Sequence, residues 1–363
     1  LPLPEQLPRV LDLGAEAGTR SLCLLEELLL YYVHELSPEI TGACAFEIVR
    51  DACFDVDDRN RARLMKSLRK GLERQKKGRI LCLRYHALDG SKPEGDLFGL
   101  TWQQLFPMET ALSLKAVTDG LELVGERSLL NWKPFTARDP LSGEKKLFRA
   151  IRQQDRFLFH PYDSFQTVIR FLQEAAEDPK VVSLKQTLYR VSRKSPVCEA
   201  LIRAASNGKQ VTVLMEAKAR FDEKNNIRCG RVLEDAGCQV IYGVPGLKIH
   251  SKIILVTRLE NGHRVRYCHL GTGNYNEKTA RIYTDMGILT ADRDIGQDAD
   301  GYFSLVEGYR EIKGMKRLVS APRELRKTLL WLIRRETENA RRGREAAIEA
   351  KMKELAGKKE AVV

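Results

Sequence analysis

The sequence predicts an α/β protein with a mixed α+β first third. Three observations carry that reading. From about residue 145, apolar strand-like runs alternate with helical runs at the spacing of a layered α/β domain. The dipeptide Asn261-Gly262 stands between two apolar runs, which is a strong hairpin signal. Before about 135, short strands and helices follow one another without that regular alternation.

In the first third, a helix is expected near 21–35, ending before Ser37-Pro38. A strand near 45–50 leads to an acidic turn at Asp55, Asp57 and Asp58, then a basic helix at about 59–76 and a strand at 79–85. Residues 87–95 read as a loop. A second break runs from Lys133-Pro134 to Asp139-Pro140, with Ser142-Gly143 beyond it, and places a domain boundary there. Helices are then expected at 165–176, 199–205 and 227–236, the last two stopped by Asn207-Gly208 and Gly237. Strands are expected at 181–184, 211–216, 239–242, 252–258 and 264–269. The run 211–216 has the apolar content of a strand buried on both faces. From about 318 the pattern is mostly helical, and the last residues, around 357–360, read as frayed.

A chain of 363 residues suits two or three domains. No apolar run approaches the ~20 residues of a bilayer span; the leucine-rich stretch 22–33 is interrupted by Glu26 and Glu27. The chain starts at Leu1 with no charged leader, which reads as a fragment or processed chain and not as a secretory signal. The eight cysteines show neither Cys-x-x-Cys nor zinc-like spacing, so reduced thiols in a cytoplasmic protein are expected. The net charge of +12 favours polyanionic partners and is compatible with peripheral association at an anionic membrane. Part of it, at Arg334, Arg335, Arg341, Arg342 and Arg344, reads equally as a solvated helix face.

Chemistry concentrates between 243 and 285. His250 and Lys252 open an apolar strand, and positions i and i+2 of an extended chain point to one side. A neutral imidazole can attack phosphorus while a neighbouring ammonium holds the phosphoryl oxygens. There is no Walker A or kinase glycine loop. Basic residues at the carboxyl ends of strands, Arg190 and Arg220, are then the natural phosphate grip. Gly271-Thr272-Gly273-Asn274 lets backbone N–H groups approach an anion, and Asn274 adds an amide donor, although an ordinary turn reads the same way. Tyr283 and Asp285 would share a side if extended; a tyrosine hydroxyl can bond phosphate and an aspartate can orient a histidine. His269 leads into the glycine loop and is a candidate supporting residue. His34, His86 and His263 carry less weight, and His160-Pro161-Tyr162 is expected to fix a turn.

The His-x-Lys followed by Gly-Thr-x-Asn resembles the phospholipase-D-type catalytic motif, except that Thr257 stands where that motif has an aspartate. The longer strings are more specific. His160–Phe165, Lys185–Arg190, Asn207–Val213, Lys218–Glu223, Gly246–Lys252 and His269–Asp285 together resemble the polyphosphate kinase family of the histidine-phosphorylating type.

That resemblance implies a head domain over 1–135 with dimer contacts, and hence a homo-oligomer. It implies a first phospholipase-D-like α/β sandwich domain over 136–317, and over 318–363 the mostly helical start of a second. It implies that His250 is the phosphohistidine nucleophile and that Tyr283, Lys252 and Asn274 bind ATP phosphate. Arg190 and Arg220 correspond to a Mg²⁺ site; as cations they would grip phosphate oxygens beside the ion. Asp285 and His269 would stand behind these groups. The implied reaction moves the γ-phosphoryl of ATP reversibly onto inorganic polyphosphate, leaving ADP, without specific nucleic-acid contact. The resemblance also implies that a small N-terminal helical domain and most of the second phospholipase-D-like domain, with its second histidine, lie outside this chain. The chain alone is then expected to hold about half of the site. Two other readings are a phospholipase-D-type phosphodiesterase or nuclease pairing its motifs across a dimer, and a non-catalytic basic scaffold for polyphosphate or nucleic acid.

Overall fold

The structure is a computed structural model that describes residues 2–3, 6–16, 19–51, 61–109, 111–124, 135–192, 194–219, 222–244, 246–308 and 314–349. The chain divides into two compact units, Leu1–Thr136 and Ala137–Val363.

In the first unit, β1 (Val10–Glu16) pairs antiparallel with β2 (Thr19–Leu24), placing Val10 opposite Leu24. Helices α1 (Leu25–Tyr31) and α2 (Val33–Leu36) follow. The helix expected over 21–35 is therefore corrected: its first four residues belong to a strand. A leucine-rich run satisfies either period, and the pairing with β1 decides it. A second sheet joins β3 (Ala45–Arg50), β4 (Ile80–His86) and β5 (Leu105–Pro107), with α3 (Arg61–Lys76) connecting the first two strands. Helix α4 (Leu114–Val124) packs against β1 and β2. The acidic turn at Asp55, Asp57 and Asp58 lies outside the described residues.

The second unit is built on a seven-stranded sheet. In chain order its elements are α5 (Leu147–Gln153), β6 (Arg156–His160), α6 (Gln166–Glu177), β7 (Val181–Leu188), α7 (Pro196–Ser206), β8 (Gln210–Met215), α8 (Glu223–Asp235), β9 (Gln239–Tyr242), β10 (Ile253–Glu260), β11 (His263–Gly271), β12 (Asp285–Thr290) and α9 (Arg293–Glu307). The spatial order is β6-β12-β11-β10-β7-β8-β9. Only β7, β8 and β9 run parallel; every other pair is antiparallel. The regular strand–helix alternation thus accounts for three strands, while hairpins build the rest. At the β10–β11 turn, Asn261 and Gly262 both take left-handed φ, +50° and +79°. That is the two-residue geometry that keeps right-twisted strands in register.

Helices α5 and α6 cover one face of the sheet, where the Phe148 ring meets Phe171 at 5.7 Å and Tyr267 at 4.8 Å. Helix α9 covers the other: Ala299 and Phe303 pack over Leu214, Ile253, Leu255 and Cys268. Helix α10 (Leu325–Arg341) follows, and it is the one helix described beyond 318. The segment around 357–360 lies outside the described residues. No helix among the described residues is long and apolar enough to cross a membrane.

Candidate active site

The antiparallel register gathers one set of chain segments at a single end of the sheet. These are the carboxyl ends of β7, β8 and β11, the approach to β10, and the start of β12. The strand ladder of β10 begins at Ile253, so His250 to Lys252 form an extended approach and not the strand's first residues. Thr187 of β7 fixes this approach from both sides. Its hydroxyl donates to the Ser251 carbonyl at 2.8 Å and accepts from the Ile253 N–H at 3.0 Å. The Ser251 hydroxyl turns away and meets the Tyr302 hydroxyl of α9 at 2.7 Å.

His250 is exposed, and its ring stands edge-on to Tyr189, centroids 5.1 Å apart. Three cations surround the same tyrosine ring: Lys252 Nζ at 5.3 Å, Arg190 Cζ at 5.7 Å and Lys248 Nζ at 5.9 Å from its centroid. A tyrosine face attracts cations through its quadrupole. It therefore holds together positive groups that would otherwise repel, and places them beside an accessible imidazole. Lys252 is only 6% exposed and its ammonium donates to the His250 carbonyl. Burial pushes its pKa down to about 8, against the opposing pull of Asp285.

Buried polar groups hold these segments in place. Glu216, fully buried at the end of β8, accepts from the Ile249 N–H at 2.6 Å and the Lys218 N–H at 2.7 Å. Asn226 of α8 donates to the Tyr189 carbonyl at 2.5 Å and the Glu216 carbonyl at 3.0 Å. Arg190 pairs with Asp222, the residue before α8, at 3.1 Å. The glycine loop reaches the same place, with Asn276 donating to the Arg190 carbonyl at 3.4 Å.

Asp285 opens β12 and accepts from the Thr272 hydroxyl at 2.8 Å. Gly273 lies so close that a Cβ there would stand 2.6 Å from the Asp285 carboxylate, which explains this glycine sterically. Asn274 keeps a buried side-chain oxygen with no hydrogen-bond partner among the described residues. His269 is 3% exposed and shares a 2.9 Å hydrogen bond with the Tyr275 hydroxyl; burial, and then His160, push its pKa down to about 3. It is a neutral core residue beneath the glycine loop. At the next strand, His160 Nδ1 closes its turn on the Asp163 carbonyl at 2.7 Å.

One expectation changes, and one falls outside what the structure describes. Tyr283 does not share an extended face with Asp285: its N–H bonds back to Thr279 at 2.9 Å, leaving it in a bend and 61% exposed. Arg220 lies outside the described residues. The sequence reading also passed over Tyr189, Lys248, Glu216 and Asn226. An acidic residue closing an apolar strand, and an aromatic next to an arginine at another strand's end, were the legible signals for Glu216 and Tyr189. Asn226 has none, because its partners are Tyr189 and Glu216.

An exposed imidazole beside an aromatic ring that gathers three cations, at the mouth of an α/β sheet, is an arrangement chemically suited to phosphate. The comparisons with known proteins narrow it. Residues 146–312 match the family model described as polyphosphate kinase C-terminal domain 1, and residues 1–90 match that of the polyphosphate kinase middle domain. The polyphosphate kinase of Halalkalibacterium halodurans is 40% identical, covering 98% of this chain and 52% of that protein. That of Staphylococcus epidermidis is 35% identical, covering 98% of this chain and 50% of that protein. The crystal structure of polyphosphate kinase from Porphyromonas gingivalis superposes with a TM-score of 0.72 at 27% identity, over 93% of this chain and 50% of that one. The chain belongs to the polyphosphate kinase family, and it spans about half the length of the curated relatives it matches.

Proposed function

We propose that these residues supply the phosphoryl-accepting part of an ATP:polyphosphate phosphotransferase, with His250 as the covalent carrier. The observation that carries this reading is the exposed His250 ring against Tyr189, with Lys252, Lys248 and Arg190 gathered around the same aromatic ring. An unprotonated ring nitrogen attacks the γ-phosphorus, the bond to the β-phosphate oxygen breaks, and ADP leaves. The terminal oxygen of a polyphosphate chain then attacks the same phosphorus and the P–N bond breaks. One difficult transfer becomes two easier ones, each stabilised by fixed positive charge. Lys252, Lys248 and Arg190 hold the equatorial oxygens, the Asn274 amide points to the same end, and Tyr283 meets nucleotide phosphate from its exposed bend.

Magnesium belongs to this reading as a companion of the nucleotide. The described residues offer no group of three or more histidine, cysteine or acidic side chains placed to hold an ion, and arginine has no lone pair to give one. Asp222 and Asp285 are engaged with Arg190 and Thr272. The donor set fits phosphates that bring their own ion. Self-association through the first unit is part of the same proposal. Its support is the set of large apolar side chains exposed there, among them Tyr31, Leu36, Trp102 and Leu114.

The test is incubation with γ-labelled ATP and magnesium, followed by recovery of acid-labile label. Label is expected on the native chain and lost in His250→Ala. Equal label in that variant refutes the carrier assignment. Binding of polyphosphate with no label on any residue would favour a scaffold, and cleavage of DNA without nucleotide would favour a phosphodiesterase.

A further inference from the structure

We infer a second polyanion site at the opposite end of the sheet from His250. A cleft of about 730 Å³ opens there, lined by Lys145, Lys146, Arg149, Arg152, Lys180 and Arg258 over a floor that includes Phe148 and Tyr267. Strands β7 and β10 each link the two ends: β7 starts at this cleft and ends at Leu188, next to Tyr189, while β10 starts after Lys252 and ends at Glu260. At the rise of an extended strand, Lys252 and Arg258 are separated by about 20 Å.

The charge of the cleft is not cancelled internally. Four carboxylates line it, and each is already engaged. Glu174 accepts the Leu147 N–H at 2.7 Å. Glu177 pairs with Arg203 at 3.2 Å. Asp178 and Glu260 both hold Arg258, at 2.9 and 2.8 Å, and Glu260 also accepts the Tyr267 hydroxyl at 2.5 Å. Among the described residues, the side chains of Lys145, Lys146, Arg149 and Lys180 make no ion pair, and all four are exposed.

The arrangement works against the fold that carries it. Arg149 and Arg152 stand three positions apart in α5, which brings two like charges together on one side of the helix, and Lys145 and Lys146 precede it at the same cleft. Lys145 and Lys146 also sit at the amino end of α5, where the helix dipole disfavours cations. Closely spaced cations that lack carboxylate partners in an open cleft suit a ligand with closely spaced negative charges. Resting on the reading of His250 as a polyphosphate phosphotransferase centre, the ligand is a linear polyphosphate, anchored here at a distance from the reacting end. A triphosphate is too short to use both ends of the sheet.

The experiment compares the native chain with Lys145→Ala/Arg149→Ala/Lys180→Ala, using long-chain polyphosphate, tripolyphosphate and a single-stranded DNA of matched charge at several salt concentrations. The variant should bind long-chain polyphosphate about tenfold more weakly, with a salt dependence shallower by about 2 in log–log slope. The loss for tripolyphosphate, which cannot engage both ends of the sheet at once, should be smaller than for the long chain, and the labelling of His250 should not change. The charge-retaining variant Lys145→Arg/Arg149→Lys/Lys180→Arg should recover the long-chain affinity. Unchanged long-chain affinity and slope in the alanine variant overturn the site. An equal loss for DNA also overturns it, by showing an unselective basic surface. Absence of label on native His250 would sink the proposed phosphotransfer on its own, because the long-chain comparison is read by binding alone.

Discussion

Lys252 keeps an ammonium where solvent hardly reaches it, and its titration is shifted accordingly, from 10.5 down to about 8. The native chain therefore binds fewer protons than the unfolded chain between these values, so this residue's contribution to stability rises with pH across that window. Phosphate binding has the opposite sense, since the cation is lost as pH climbs through about 8. Tripolyphosphate affinity should fall above that pH, and Lys252→Arg should keep it flat because guanidinium stays charged. Lys252→Met should weaken phosphate binding yet raise stability in urea by about 2 kcal/mol, since a buried charge is replaced by an apolar chain of similar length. A lower urea midpoint for the methionine variant would mean that the ammonium is a structural tie and not a functional cost. The His-x-Lys spacing was legible in sequence. The depressed titration was not, because it depends on what surrounds the ammonium.

At the scale of elements, the site is three loops pinned by two buried side chains. Glu216 closes β8 and reaches across 33 positions to the N–H of Ile249, directly before His250. Glu216→Ala would orphan two backbone donors, at about 1–3 kcal/mol each, and free the approach to β10. Urea unfolding should register the loss, and His250 labelling should slow further than in Glu216→Gln, which keeps one acceptor. Equal labelling rates for alanine and wild type would show that the His250 segment is held by other contacts, with Thr187 the first to examine. Strands β7 to β11 and the Asn261-Gly262 hairpin could be read from apolar period and turn chemistry, whereas β6, β12 and the order of the sheet could not. The strand β2 could not, since its pairing partner, and not its own composition, selects it over helix.

For the whole molecule, the two units carry different surfaces. The second bears the cations gathered at Tyr189 and the basic cleft. The first exposes Tyr31, Leu36, Trp102 and Leu114, residues whose burial is worth about 1.5–3 kcal/mol each when complete. Sedimentation of the native chain should show concentration-dependent self-association, and Trp102→Asp/Leu114→Asp should shift it toward monomer with the fold retained. A native chain that stays monomeric at high concentration would leave that surface to a partner of another kind.

The amino-acid order by itself determined the α/β class, most element positions, the glycine loop and the adjacency of His250 and Lys252. These depend on periods of two and 3.6 residues and on turn chemistry within a few positions. Only the tertiary structure decided that Tyr189 would gather Lys248, Lys252 and Arg190, that Glu216 would hold the backbone next to His250, and that a basic cleft would open at the far end of β10. Those outcomes depend on strand register and on the removal of water between residues tens of positions apart, quantities that no local pattern encodes.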